Sequence, residues 1–365
     1  MQDAANIRPL TSLRFFAALW VVLFHYWPKL DVAFTPAMVA KGYLGVELFF
    51  VLSGFILCHV YLSAFGEGRF KYGSFLWNRL ARVYPLHLAT LAGMIGLGVA
   101  AGLAGVAIDS EILRWDALPA NLLMVQAWGL APAAAFNHPS WSISAEWFAY
   151  LSFPAFAFVA WKMRARPWLY AVVTLAAIAI LYPTFQALTG KSLNQATIAW
   201  GALRIVPCFA LGCAMHSLWR SGAVRGVRMA AIGALFSGAG LLAAVLLGAP
   251  DMVIVATFGG LILGLAGLAQ HGSTFGSQAG LVYLGEISYS TYMICVPWKI
   301  IFVNAAARVL NLADEKLPLG LWLIFLVALV PLSAASYHLV EKPARERMKL
   351  MADSRRSRRV VTAGA

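Results

Sequence analysis

The sequence predicts an all-α integral membrane protein with about ten transmembrane helices, and its composition and apolar runs carry that prediction. Of its 365 residues, 61% are hydrophobic and 12% are charged, whereas a soluble protein carries about a quarter charged residues. The mean hydropathy is +0.76. Apolar stretches of roughly 20 residues, long enough to cross a bilayer as helices, recur throughout the chain. These observations exclude a soluble globular protein.

Ten apolar runs are long enough to span, and a shorter run needs separate treatment. The ten predicted spans are 10–28, 43–62, 83–106, 143–161, 168–187, 197–218, 228–247, 252–270, 281–304 and 318–340. The shorter run at 118–130 is followed by Pro132. We expect it to be interfacial or re-entrant, and a further span is the alternative.

The charge distribution predicts the orientation of these helices. The N-terminus, three of the four even-numbered loops and the C-terminal tail hold almost all of the Lys and Arg, so the positive-inside rule places both termini in the cytoplasm. The opposite loops hold six acidic residues, Asp109, Glu111, Asp116, Asp251, Asp314 and Glu315. Membrane topology therefore explains the net charge of +13, and nucleic-acid binding is not needed to explain it. We expect a multi-pass plasma membrane protein, in bacteria an inner-membrane one.

Two domains are expected, and neither is expected to hold a metal. Residues 1–345 form a transmembrane domain, and residues 346–365 form a basic cytoplasmic tail that can rest on anionic lipid. All four cysteines lie in apolar segments without a CxxC pair, and no HExxH motif occurs. These cysteines are typical of small core residues. We expect no metal and no permanently bound cofactor.

The first span carries two ionisable residues, Arg14 and His25. Eleven residues return an α-helix to within ~20° of its starting direction and advance it by ~16 Å. Both side chains should therefore share one helix face, with Arg14 nearer the cytoplasm. Ionisable residues inside a membrane usually line a cavity or a pathway. A hydrogen-bonded structural histidine is the alternative for His25.

The predicted depths group the other ionisable residues into two levels. One level lies within ~5–10 Å of the outer ends of the helices and contains His25, Glu47, Glu146, Arg204 and Lys299. It predicts a polar chamber open to the outside. At the cytoplasmic level, Arg79 and Arg82 share a helix face and join Arg14. This triad suits phosphate binding, although positive-inside anchoring explains Arg79 and Arg82 equally well.

These two levels would fit a ligand whose anionic head is bound at the cytoplasmic level and whose reactive group lies at the outer level. Acyl-CoA has this shape, because a phosphorylated head carries a pantetheine arm that ends in a thioester. Acetyl-CoA is therefore the expected co-substrate, and a larger acyl group is the alternative.

Several motifs in fixed order carry a resemblance to a known family. Arg14 and His25 come first, and the remaining motifs are "GYLGVELFFVLSGFIL" (42–57), "FLWNRLARVYPLH" (75–87), "HPSWSISAEWFAY" (138–150), "RIVPCFALGC" (204–213), "LGEISYSTYMICVP" (284–297) and "HLVEKPAR" (338–345). Over residues 8–345 the chain resembles the integral-membrane acyltransferase 3 family, whose members O-acylate surface carbohydrates and some other acceptors. The sequence departs from the family at Cys295, where many members have a histidine.

The resemblance implies roles for individual residues. His25 would be the catalytic group, Arg14 and Arg82 would bind acyl-CoA, and Glu146 matches the acidic residue of the family's "WSxSxE" stretch. We expect Arg79 and Tyr84 on the acyl-CoA side as well. Four further residues are expected on the acceptor or oxyanion side: Arg204, Trp141, His138 and Ser142.

The expected reaction is acyl transfer to a hydroxyl of a surface or exported polysaccharide, or of its lipid-linked precursor. His25 would remove the hydroxyl proton, and a carboxylate would orient the imidazole. Glu146 is the first candidate for that carboxylate and Glu47 the second. Arg204 or Lys299 would either stabilise the oxyanion or pair with those glutamates. An acyl-histidine intermediate is a further alternative.

Other classes of function compete with this prediction. A membrane transporter also uses buried charges and Pro-interrupted helices. An O-acyltransferase that acts on a lipid or a small molecule would use the same chemistry. A structural subunit of a polysaccharide assembly complex would leave the two charged levels unexplained.

Overall fold

The structure is a computed structural model that describes residues 7–103, 105, 112–312 and 315–363, with 353–363 described by their backbone alone. The predicted outer-loop acids Asp109, Glu111 and Asp314 lie outside the described residues. The described part is helical, apart from an isolated bridge between Leu30 and Leu317.

Fifteen α-helices follow one another along the described chain, together with several single 3-10 turns. They are α1 Arg8–Tyr26, α2 Ala37–Ala40, α3 Gly45–Gly66, α4 Tyr72–Leu103, α5 Leu118–Leu122, α6 Ser140–Leu151, α7 Phe153–Lys162, α8 Pro167–Thr189, α9 Gly201–Arg220, α10 Val227–Leu246, α11 Asp251–Gln270, α12 Ala279–Glu286, α13 Ser288–Leu310, α14 Leu319–Ser336 and α15 Lys342–Ala363. A π-helical turn, Tyr337–Glu341, joins α14 to α15.

Within the described residues, nine helical segments are long and apolar enough to cross a membrane, and the bent pair α6 and α7 raises the number to ten. The prediction of about ten membrane-spanning helices is therefore confirmed at the level of length and composition. The run at 118–130 forms only the five-residue α5 and a 3-10 turn, Gln126–Trp128. Neither segment is long enough to cross a bilayer.

Three predicted spans differ from the helices observed, and one of them, 281–304, is divided at Ile287 between α12 and α13. α4 begins at Tyr72 rather than at residue 83, so Arg79 and Arg82 lie inside a long helix and not in a loop. The predicted span 143–161 is divided at Ser152 into α6 and α7, which are bent by 56°. Pro154 stands in the first turn of α7, where a missing N–H is tolerated but cannot continue the preceding helix.

Helices α3 and α9 pack backbone against backbone at two glycines. A Cβ atom on Gly54 would collide with the carbonyl oxygen of Phe209, and one on Gly212 would collide with that of Val51. Small residues permit this close approach between membrane helices. We call this contact the glycine seam.

The continuous helix α1 defines two ends of the bundle. Arg14 and His25 both lie within it, and eleven residues at 1.5 Å each separate their levels by ~16 Å. We refer to these levels as the Arg14 end and the His25 end. α3, α6 and α9 begin at the His25 end, whereas α13 begins at the Arg14 end.

Candidate functional site

A cavity of about 260 Å³ lies between α1, α3, α4, α6 and α13. Its apolar lining comes mainly from α3. Its polar lining residues are Arg14, Ser53, Tyr61, Arg79, Arg82, Ser142, Glu146, Tyr150, Tyr289 and Tyr292. The cavity is therefore a largely apolar space with charged groups placed at defined points, as small-molecule sites usually are.

The cavity is long because it follows the helix axes. On α3 its lining runs from Val46 to Tyr61, a rise of ~22 Å. On α6 it is lined by Ser142, Glu146 and Tyr150, which are spaced four residues apart and therefore share one helix face. A narrow molecule could lie along this space.

Three arginines face the cavity, as the phosphate-binding prediction requires. Arg14, Arg79 and Arg82 all line it. The Arg79 guanidinium carbon lies 5.9 Å from the ring centroid of Tyr61 and 6.0 Å from that of Tyr150, within cation–π range. The buried Nε of Arg79 has no hydrogen-bond partner among the described residues. A half-buried guanidinium with an unused buried donor is well suited to bind an anion.

Two carboxylates accompany these arginines. Glu146 accepts a hydrogen bond of 2.6 Å from Ser53 Oγ, and its charge acts on Arg14. Glu341 is buried and accepts a bond of 2.9 Å from Ser290 Oγ. The sequence analysis missed Glu341 as a site residue. Its signals were its place in the 338–345 motif and its position directly after the last apolar run.

The structure does not bring Glu146 to His25, so their expected pairing is wrong. Glu146 lies in the cavity with Arg14, and no hydrogen bond joins His25 to a carboxylate within the described ranges. The predicted depth of Glu146 assumes one straight span that begins at residue 143. The helix instead begins at Ser140 and bends after Leu151, and this changes both the depth and the direction of Glu146.

The second carboxylate candidate, Glu47, forms a buried ion pair with Arg204. Arg204 Nε lies 2.5 Å from Glu47 Oε1, and the two side chains are 2% and 0% exposed. Asn194 donates a second bond of 3.1 Å to the same oxygen. The Arg204 guanidinium carbon also lies 4.5 Å from the ring centroid of Trp141. Arg204 therefore pairs with a glutamate, which is one of the two alternatives that the sequence left open.

His25 is grouped instead with His138 and Lys299. The two imidazole centroids lie 6.4 Å apart, and the charge of Lys299 acts on both rings. Burial, followed by the positive charges of Lys299 and Arg204, lowers the pKa of His138, so this imidazole is neutral near pH 7.

Helix α13 holds Lys299 beside α1. Tyr26 OH donates a bond of 2.9 Å to the carbonyl oxygen of Cys295, one helical turn from Lys299. Among the described residues Lys299 forms no ion pair, contrary to the expectation that it would pair with a glutamate. An ammonium group without a directly contacting carboxylate therefore lies beside His25, and the charge of Glu315 acts on it.

Two other predicted site residues have clear positions. Tyr84 donates its hydroxyl to the carbonyl oxygen of Leu122 at 3.0 Å and is not among the residues that line the cavity, so its role on the acyl-CoA side stays a prediction. Ser142 lines the cavity and donates a bond of 2.8 Å to Tyr292 OH. The sequence analysis did not single out Tyr292, because the 284–297 motif that contains it also contains Tyr289 and nothing in the sequence distinguishes the two.

Comparisons with known proteins give a consistent result. A model of the family described as "Acyltransferase domain" matches residues 9–338. The acyltransferase MdmB of Streptomyces mycarofaciens is 32% identical over 314 residues, which cover 78% of this chain and 77% of that protein. No solved structure matches.

Two relatives have more specific names. The O-acetyltransferase OatA of Staphylococcus aureus is 22% identical over 93% of this chain and 57% of its own length. The putative peptidoglycan O-acetyltransferase YrhL of Bacillus subtilis is 28% identical over 48% of this chain and 27% of its own length. The present chain thus spans only part of these two relatives.

Proposed function

This chain belongs to the acyltransferase family whose domain it matches, and from that membership we propose that it transfers an acetyl or other short acyl group from acyl-CoA to a carbohydrate hydroxyl. The acceptor would be a surface or exported polysaccharide or its lipid-linked precursor. The observation that carries this proposal is the long cavity. Its lining includes Arg14, Arg79 and Arg82, together with Glu146 of α6.

The dimensions of the cavity support acyl-CoA as the donor. A volume of about 260 Å³ is below the ~300–1,000 Å³ of sites that enclose a drug-sized ligand. It suits the thin pantetheine arm, while the nucleotide remains outside the bundle. Arginines bind phosphate groups through paired N–H donors, so the triad would hold the head of the donor.

The residues at the His25 end would carry out the transfer. In its neutral form His25 takes the proton of the acceptor hydroxyl as that oxygen attacks the thioester carbon. The carbonyl oxygen becomes an oxyanion, and Lys299, which has no ion-pair partner in the described chain, would stabilise it. As the C–S bond breaks, the imidazolium returns the proton to the departing CoA sulfur. The products are the ester and free CoA thiol.

The same proposal fixes the orientation in the membrane. The Arg14 end would face the cytoplasm, where acyl-CoA is made, and both termini would lie there with Arg79 and Arg82. Single cysteines introduced at Lys71 and at Trp128, in a variant without native cysteines, would be labelled with an impermeant maleimide. We expect Lys71→Cys to react only in opened cells or inverted vesicles and Trp128→Cys to react in intact cells. The reverse pattern would contradict this orientation.

The names of the relatives support the choice of acceptor. OatA is named an O-acetyltransferase and YrhL a putative peptidoglycan O-acetyltransferase. By extension, we propose a glycan hydroxyl as the acceptor of this chain. Trp128 and Trp147 are half-buried and could stack against sugar rings.

Purified protein in nanodiscs, incubated with acetyl-CoA labelled in the acetyl group, tests the function directly. We expect release of CoA thiol that depends on an added glycan acceptor, with the label appearing in the glycan. His25→Ala should abolish both signals. Uptake of labelled substrate into sealed vesicles without thiol release would instead indicate a transporter. Label in lipid rather than glycan would contradict the proposed acceptor.

A further inference from the structure

The cavity and His25 lie on opposite sides of a hydrogen-bonded constriction. Tyr292 lines the cavity, whereas His25 and His138 do not. Tyr292 OH donates a bond of 3.0 Å to the carbonyl oxygen of Pro139, the residue that follows His138. The wall at this end of the cavity therefore belongs to the same segment that carries the neighbour of His25.

Three side-chain bonds hold this wall together. Besides the Tyr292–Pro139 bond, Ser142 Oγ donates to Tyr292 OH at 2.8 Å. Asn137 Nδ2 donates to the carbonyl oxygen of Met293 at 2.8 Å. All of these groups are buried. We call these contacts the 137–142 clamp, because they fasten that segment to α13.

One face of α13 connects the two sides of the constriction. Tyr289 lines the cavity and donates to the carbonyl oxygen of Val83 at 2.7 Å. Tyr292 follows one turn later, and Lys299 lies beside His25. The rise from Tyr292 to Lys299 is ~10 Å. A thioester that enters from the Arg14 end must therefore pass Tyr292 before it reaches His25.

We propose that Tyr292 is the residue that determines which acyl groups are accepted. This inference rests on the proposed function. The phenol is bonded to Pro139 and Ser142 and is in edge contact with Phe49 at 6.2 Å between centroids, so it narrows the route to a width that an acetyl group on its thin arm passes and a broader acyl group, branched or aromatic, does not. The acyl group leads the pantetheine arm, so it is the first part of the donor to meet the ring.

Selectivity between acyl donors tests the role of Tyr292. The measurement is kcat/KM for benzoyl-CoA divided by kcat/KM for acetyl-CoA. In Tyr292→Ala, which removes the ring, this ratio should rise by about tenfold or more, the size of effect that a few methylenes produce in a shaped pocket. Tyr292→Phe keeps the ring but loses both hydroxyl bonds, so the ratio should rise by a smaller factor.

Tyr289→Ala is the matched control. It removes a phenol from the same helix and the same cavity, but from a residue that is not bonded to the 137–142 clamp. The selectivity ratio should equal that of the wild type, whatever happens to turnover. Ser142→Ala removes one bond of the clamp and should raise the ratio least among the clamp variants.

The outcomes separate this inference from the proposed function. If the wild type releases no thiol from any acyl-CoA, the proposed function fails. If the wild type uses acetyl-CoA and folded Tyr292→Ala keeps the wild-type ratio, only the role of Tyr292 fails. Should Tyr292→Ala not fold, an unchanged ratio in Tyr292→Phe would overturn the inference. An equal rise in Tyr289→Ala would also overturn it.

Discussion

The Arg14 end and the His25 end contain similar ionisable residues but use them differently. At the Arg14 end, three arginines face a cavity and Arg79 keeps a buried donor without a partner. At the His25 end, Arg204 and Glu47 bond to each other deep in the protein, which leaves His25, His138 and Lys299 as the groups available for chemistry. Charge that is paired internally supports the fold, whereas unpaired charge that faces open space is available to a ligand.

Removing His25 should produce the largest effect. His25→Ala should lower turnover by about 10²–10⁴-fold, the usual contribution of a general base, with little change in acyl-CoA affinity. Single-turnover kinetics and a binding isotherm would separate the two effects. His271→Ala is the matched control, since His271 bonds to the carbonyl oxygen of Val224 outside the cavity. Near wild-type turnover in His25→Ala would show that the His25 end does not carry out the chemistry.

Breaking the buried ion pair should affect stability more than binding. Glu47→Gln leaves Arg204 as an uncompensated buried charge, and loss of one partner from such a pair costs about 3–5 kcal/mol. The unfolding temperature in detergent should fall, while the remaining folded protein binds acyl-CoA normally. Glu67→Gln makes the same change in an exposed pair with Arg69 and should change stability little. Equal effects of the two variants would refute the structural role.

Removing a cavity arginine should affect binding and not folding. Arg82→Ala should weaken acyl-CoA binding by about tenfold or more, because a hydrogen bond to a charged group contributes about 1.5–3 kcal/mol. Arg82→Lys should restore part of the affinity, since it keeps the charge but not the paired donors. Arg69→Ala removes the same charge from an exposed side chain and should leave the affinity unchanged. If Arg82→Ala also kept wild-type affinity, the Arg14 end would not bind the donor.

The smallest effect concerns the pH dependence of stability at His138. An ordinary histidine has a pKa of 6.5, and burial lowers the pKa of His138 below that value. Below pH 6.5 the unfolded chain therefore binds a proton that the folded chain does not, and stability decreases as the pH falls. In His138→Gln the unfolding temperature should fall less steeply between about pH 7.5 and pH 5. Parallel curves for the two proteins would show that His138 does not titrate in this way.

The membrane helices and the arginine triad could be predicted from the sequence because both depend on local patterns. A run of apolar residues indicates a span wherever it occurs, and Arg79 and Arg82 share a helix face by their spacing alone. The positive-inside orientation and the catalytic role of His25 stay predictions.

Pairing across helices could not be predicted. Glu47 and Arg204 are far apart in sequence, and their contact depends on how α3 and α9 rotate about their axes. The sequence pairs Glu146 with His25, which is wrong, because a hydropathy pattern does not show the bend after Leu151. The 284–297 and 338–345 motifs contain Tyr292 and Glu341, but the neighbours of these two residues become known only when α13 and the last helices are packed together.

The glycine seam at Gly54 and Gly212 holds α3 and α9 in a fixed position relative to each other. Because the two main chains touch at these glycines, neither helix can slide or roll against the other without a backbone collision. The cavity wall formed by α3 should therefore keep its shape through a catalytic cycle, while the side chains of α6 and α13 adjust opposite it. An inhibitor shaped to the α3 wall would meet the same surface in every state of the enzyme.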